Sequence, residues 1–76
     1  MPPLPVLRAD RVVTVFASMG WEVLRQRGSH IILAKDGEMA TLSVPNHNPV
    51  ARGTLRGLIR TANLSVSEFL DALDRL

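Results

Sequence analysis

Apolar and polar positions recur along this chain with two different periods. Val12, Phe16 and Met19 fall at helical spacing, and Val13 and Val15 widen the same face. The spacing predicts a helix over about 11–19, with Asp10 as its cap and Gly20 as the left-handed residue that ends it. Three valines lower its intrinsic propensity, so packing must hold it. From Trp21 onward the period shortens to two. "WEVLRQ" (21–26), "SHIILAK" (29–35) and "EMATLSV" (38–44) read as strands, and Pro45 closes the third. Asp36-Gly37 joins the last two as a two-residue hairpin turn. The helical period returns in "TLRGLIRTA" (54–62), with Leu55, Leu58, Ile59 and Ala62 inward, until Asn63-Leu64 breaks it. Ser65 opens a last short helix through a capping box with Glu68, and Val66, Phe69, Leu70 and Leu73 form its buried face. The N-terminal residues, with Pro2, Pro3 and Pro5, read as an extended arm whose Leu4, Val6 and Leu7 pack onto the body. Helix, three antiparallel strands, helix and short helix make an α+β two-layer sandwich, with the helices on one face of the sheet.

The Asp36-Gly37 turn also predicts a register, in which Ile31 lies opposite Leu42 and His30 opposite Ser43. One face then collects Ile31, Leu33, Ala40 and Leu42 and belongs under the helices. The other collects His30, Ile32, Ala34, Met39, Thr41 and Ser43 and stays open. A slip of one residue would exchange the faces, so the pattern predicts an accessible His30. Placing Trp21 and Val23 inward requires an odd-length connection, which predicts a three-residue loop at Gly28 with a bulge that helps aim His30. Gly57 costs its helix about 1 kcal/mol against alanine, which predicts close packing of that helix on the sheet.

With 76 residues, 46% of them hydrophobic, the chain reads as one domain (1–76) with one modest core. It has no cysteine, so disulfides and thiolate metal sites are excluded. No apolar run approaches the roughly 18 residues that span a bilayer. The N-terminus lacks the basic start and long apolar stretch of a signal peptide. A cytoplasmic protein without membrane association is expected. The net charge of +2 is unevenly spread. Residues 1–60 hold eight basic residues against four acidic ones, a net +4; residues 61–76 hold Arg75 against Glu68, Asp71 and Asp74, a net −2. Eight of the nine cations are arginine, whose planar fork suits phosphate. A basic body predicts an anionic partner, either nucleic acid or an acidic protein.

Few arrangements of these residues can carry chemistry. His30 and His47 supply only two nitrogen ligands where a catalytic zinc needs three protein ligands, and Asp36 and Glu38 lie at the other end of the hairpin. No metal site and no cofactor are expected. Ser29 and His30 are neighbours on a strand and face opposite sides, and no acid is placed to orient the imidazole as a triad requires. Gly53-Thr54 is too short for a phosphate-cradling nucleotide loop. For His30 two readings stay open: an edge-of-sheet histidine with a structural hydrogen bond, or a general acid–base beside Arg25, Arg27 and Lys35. Arg52, Arg56 and Arg60, spaced by four, form a stripe along one helix face. It is either a solvated surface or a rail for phosphates or an acidic protein. His47 is open in the same way, as a solvated loop histidine, a phosphate ligand or a second proton-transfer group.

"LP" near the start, "GW" after the first helix, "RQRGSH" entering the second strand, "VPNH" leaving the third, "GTLRGLIR" and "LSVSEFL" together resemble the HicA toxin family of toxin–antitoxin systems. The resemblance spans residues 4–73. It implies a fold similar to the double-stranded-RNA-binding domain, and an mRNA-cleaving toxin neutralised by a HicB-like antitoxin that covers the active histidine. The family's catalytic histidine follows glycine and serine at the start of the second strand, which here is His30. Ile31 and Ile32 follow it, where many relatives carry a second histidine or an aromatic residue. The expected activity is a metal-independent endoribonuclease in which His30 is general base or acid and His47, Lys35 or water is the second proton-transfer group. Arg25, Arg27, Lys35, His47, Arg52, Arg56 and Arg60 are its expected RNA-binding residues. A non-catalytic RNA-binding module and a protein-interaction module of the same fold are the alternatives.

Overall fold

The computed structural model describes residues 3–76; Met1 and Pro2, the latter part of the expected arm, lie outside the described residues. The elements are α1 (Ala9–Ser18), β1 (Glu22–Arg27), β2 (His30–Ala34), β3 (Leu42–Pro45), α2 (Arg52–Thr61) and α3 (Val66–Asp74). The strands form one antiparallel sheet in the order β1-β2-β3. The α+β architecture with three helices and three strands is the one the hydrophobic periods predict. Val12, Val15 and Phe16 of α1, Leu55, Leu58 and Ile59 of α2, and Val66 and Phe69 of α3 join Trp21, Leu33, Leu42 and Val44 in a single core. Among the described residues no polar or charged side chain is buried. The arm adds Leu4 to this core and bridges Leu7 to Val50, while its Val6 stays exposed.

Helix ends follow local chemistry where the partners are local. Gly20, at φ +100°, closes α1: its N–H donates to the Ala17 carbonyl and that of Trp21 to the Phe16 carbonyl. This is a Schellman ending, and its usual apolar contact is the edge-to-face pair of Phe16 and Trp21, with ring centroids 6.5 Å apart. Asn63, at φ 61°, ends α2 in the same way, its N–H donating to Arg60 and that of Leu64 to Ile59. The start of α1 differs from expectation. The helix begins at Ala9, and Asp10 lies inside its first turn rather than capping it. The Ala9 N–H instead donates to Asn48 Oδ1 at 2.8 Å, across 39 residues of chain.

The capping box of α3 forms as read. The Ser65 N–H donates to Glu68 Oε1 at 2.8 Å, and the Glu68 N–H donates to Ser65 Oγ at 3.0 Å. The Ser65 backbone N–H first, and its hydroxyl second, hold the Glu68 carboxyl below the usual carboxylate range. A depressed folded-state pKa contributes stability that is present above the unfolded pKa and lost as pH falls through the folded one. Glu68→Gln, which keeps an acceptor but not the charge, is therefore expected to unfold more easily than the parent at neutral pH. That gap should close on acidification through the carboxylate range, as read by thermal unfolding of both proteins from pH 7 to pH 3. A gap that stays constant with pH would remove Glu68 from the pH dependence.

The register of β2 against β3 departs from expectation by two residues. His30 pairs with Pro45, Ile31 with Val44, Ile32 with Ser43 and Leu33 with Leu42. A turn does form at Asp36-Gly37, with the Glu38 N–H donating to the Lys35 carbonyl at 3.1 Å. Of its two central residues only Gly37 has a positive φ, +87°. That is the sign pattern of a type II turn, whose twist splays hairpin strands where the primed types continue the ladder. Residues 38–41 leave the sheet, and Met39 and Ala40 are exposed rather than paired. Because the shift is an even number, the residues that remain paired keep their faces, but Ala40, expected under the helices, is exposed with the segment that leaves the sheet. Leu33, Leu42 and Val44 are buried, Ile31 is half-buried against the core, and His30 and Ser43 are exposed.

The β1–β2 connection is also reassigned. Gly28-Ser29 is a two-residue turn beneath the Arg27–His30 pair, with Gly28 at φ +59°. Glycine with positive φ in the first central position suits a type II′ turn. The parity conflict is resolved inside the strand, where Leu24 bulges out between the Val23–Leu33 and Arg25–Ile32 pairs. Trp21 is buried as expected, but Val23, on the edge strand, is 52% exposed. Gly57 does not serve close packing: a Cβ built there meets nothing within 4 Å.

Candidate nucleic-acid interface

The bulge at Leu24 decides what stands around His30. Residues directly opposite one another share a face. Without an extra residue, strict alternation from Trp21 and Val23 would turn Arg25 and Arg27 toward the helices. With it, Arg25 lies opposite Ile32 and Arg27 opposite His30, both on the open face. Paired Cβ atoms of this kind stand about 4.5–5.5 Å apart. Arg25 follows roughly 7 Å along the strand. The open face at this end therefore gathers two guanidinium groups and an imidazole.

None of the three is engaged by the rest of the described chain. Arg8 pairs with Asp10 at 3.4 Å, and both partners are well exposed. No carboxylate pairs with Arg25 or Arg27 among the described residues. The His30 ring is exposed and likewise makes no hydrogen bond to a described residue. Glu22 shares the open face but pairs with Ala34, at the far end of the sheet. Asp36 and Glu38 lie beyond that same end. The open face is thus basic at the Gly28-Ser29 turn and carries Glu22 at the opposite end, while the Glu38 carboxylate accepts from Asn63 Nδ2, of the helical layer, at 3.1 Å.

His47 belongs to the basic end. The Asn46 N–H donates to the Ser29 carbonyl at 2.6 Å, extending the β2–β3 ladder one bond past His30. His47 follows directly and is exposed. Lys35 does not join this group. It lies five residues from His30, roughly 17 Å along an extended chain. Its Cε sits 3.2 Å from where a Cβ on Gly20 would stand, over the C-terminal end of α1, a position that favours a cation.

The arginine stripe lies on α2, in the helical layer, and so does not share the open face. Arg52 Nε donates to the Leu4 carbonyl at 2.8 Å, which ties it to the arm. Arg56 is half-buried and Arg60 exposed. The start of α2 has no side-chain cap and no acidic residue in its first turn. That leaves an end with positive character beside the His47 loop. Among the described residues no three His, Cys, Asp or Glu side chains gather as metal ligands would. No helix among them is long and apolar enough to cross a membrane.

A protein-family model, the HicA toxin of bacterial toxin–antitoxin, matches residues 9–64. The chain belongs to the HicA toxin family. The HicA match runs from the first residue of α1 to just beyond α2, so it contains the whole sheet, His30, the arginines of β1 and the stripe of α2. Helix α3 lies outside it. No curated protein matches the chain. Two residues that shape this site carry no local signal in the sequence. Leu24 is an ordinary strand residue whose bulge follows from parity, and Asn48 caps a helix that starts 39 positions earlier.

Proposed function

We propose that this HicA-family chain is the toxin of a toxin–antitoxin pair and acts in the cytoplasm as a metal-independent endoribonuclease on mRNA. The observation that carries the reading is the His30 imidazole: exposed, without a partner among the described residues, and opposite Arg27 with Arg25 on the same face. Arg25 and Arg27 hold the scissile phosphate and offset the charge that grows on its oxygens in the transition state. The ribose 2′-oxygen attacks the adjacent phosphorus, forming the 2′-O–P bond as the P–O5′ bond breaks. One proton leaves the 2′-hydroxyl and one reaches the departing 5′-oxygen. His30 serves one of these transfers, which typically contributes about 10²–10⁴-fold. His47, at the same end of the sheet, is the candidate for the other. Lys35 and the arginines of α2 serve phosphates farther along the RNA, where they add affinity rather than chemistry. A HicB-like antitoxin with an acidic surface would neutralise the protein by covering the basic end of the open face.

The test is incubation of purified protein with RNA in excess chelator, followed by end-group analysis. The expected products carry 2′,3′-cyclic phosphates and 5′-hydroxyls. RNA that is bound but left intact would return the chain to a non-catalytic binding role. Cleavage only with a divalent ion, or products with 5′-phosphates, would replace this chemistry with another.

A further inference from the structure

The loop that carries His47 is held from outside itself. Of residues 46–51 only Val50 is buried. At one end the Asn46 N–H donates to Ser29, and at the other the Val50 N–H donates to the Leu7 carbonyl at 2.8 Å. Between these anchors stand His47, Asn48 and Pro49. The middle of that span is tied by the side chain of Asn48, whose Oδ1 accepts the Ala9 N–H. Ala9 is 1% exposed and opens α1, and no side chain of the N-cap residue Arg8 serves its N–H. The bond therefore satisfies the helix and fixes the loop at once.

We infer that Asn48 is a positioning residue for RNA cleavage: by accepting the Ala9 N–H it locks the loop against α1 and holds His47 at the His30 end of the sheet. This rests on the reading that His30 cleaves RNA with His47 as the second proton-transfer group. Proton transfer requires heavy atoms within hydrogen-bond reach, and displacements near 1 Å can cost on the order of 100-fold. An exposed imidazole on an untethered span would not keep such a distance. The backbone anchors at Asn46 and Val50 and the Arg52–Leu4 bond do not depend on the Asn48 side chain, so its loss frees the span while the fold loses only the partner of the Ala9 N–H, a cost that thermal unfolding reads separately.

Two substitutions break the bond from opposite sides. Asn48→Ala removes the acceptor. Ala9→Pro removes the donor at the first helical position, where proline is well tolerated, and Arg8 at φ −71° and ψ 154° already has the extended backbone that a following proline prefers. Asn48→Asp keeps an acceptor. Cleavage of a defined RNA is measured for Asn48→Ala and Ala9→Pro, each alone and combined with His47→Ala, with thermal unfolding recorded alongside. Each is expected to lower kcat about 10-fold or more with KM changed less than about twofold, and Asn48→Asp to restore most of the rate. Combined with His47→Ala, neither should lower the rate further. Equal losses in both backgrounds, or a wild-type kcat in Ala9→Pro, would overturn the proposal while leaving the nuclease reading intact. A wild-type rate in His47→Ala alone would overturn it too, by removing what Asn48 positions. Parent protein that does not cleave RNA at all would sink both readings together.

Discussion

Replacing His30 by alanine is expected to lower RNA cleavage by about 10²–10⁴-fold while leaving the thermal unfolding midpoint nearly unchanged. The rate loss corresponds to roughly 3–5 kcal/mol of barrier. The stability loss has no comparable source. The ring is exposed and makes no hydrogen bond to a described residue, and substitutions at such sites usually change stability by less than about 0.5 kcal/mol. RNA binding should survive, because Arg25 and Arg27 remain on the face. Rate, unfolding midpoint and affinity, measured on one preparation, separate the roles. A variant that cleaves like the parent would remove His30 from catalysis. A variant that unfolds would contradict the placement of the ring on the open face.

Phe16→Ala is expected to have the largest effect on the fold, about 3–5 kcal/mol. Phe16 has no exposed surface. Its ring meets Trp21, which follows the end of α1, and stands 5.2 Å from that of Phe69 in α3. Truncation would open a cavity where α1, the Schellman ending and α3 meet. A domain of this size has a total stability of about 4–11 kcal/mol, so one side chain would remove a large share of it. Urea denaturation reads the change directly, and Phe16→Leu, which keeps more of the volume, should lose less. A loss below about 1 kcal/mol for the alanine variant would mean that α1 and α3 are not joined through this ring. The consequence reaches function, because α1 also supplies the N–H that holds the His47 loop.

Features whose partners are near in sequence were legible. Gly20 ends α1, Ser65 and Glu68 close the capping box, and Leu55, Leu58, Ile59 and Ala62 line the core. The openness of His30 was legible for a stronger reason. Strand parity survives any even slip, so the two-residue error in the β2–β3 register kept every residue that stays paired on its face and misplaced only the segment with Ala40 that peels away. That error came from turn chemistry: Asp-Gly favours a primed turn, but Asp36 does not take a positive φ here and residues 38–41 peel away. The rest depended on contacts distant in sequence. Asp10 has the chemistry of a cap, but the loop brings Asn48 to the position first. The need for one extra residue near Gly28 was readable from Trp21 and Val23, yet the pattern does not say whether turn or strand absorbs it. The strand does, at Leu24, and that choice turns Arg25 and Arg27 toward the solvent. Lys35 is close to His30 in sequence, but the extended strand between them places it at the far end of the sheet.

The central claim is that RNA lies on the open face of the sheet at its basic end, in contact with the His30 ring. NMR titration of the protein with a 2′-deoxy-substituted RNA, which binds but cannot be cut by its own 2′-hydroxyl, reads this directly through ring and backbone shifts. The account predicts the largest changes at His30, Arg25, Arg27 and His47, with α3 unmoved. Changes confined to Arg52, Arg56 and Arg60 on α2, with the His30 ring undisturbed at saturation, would contradict it.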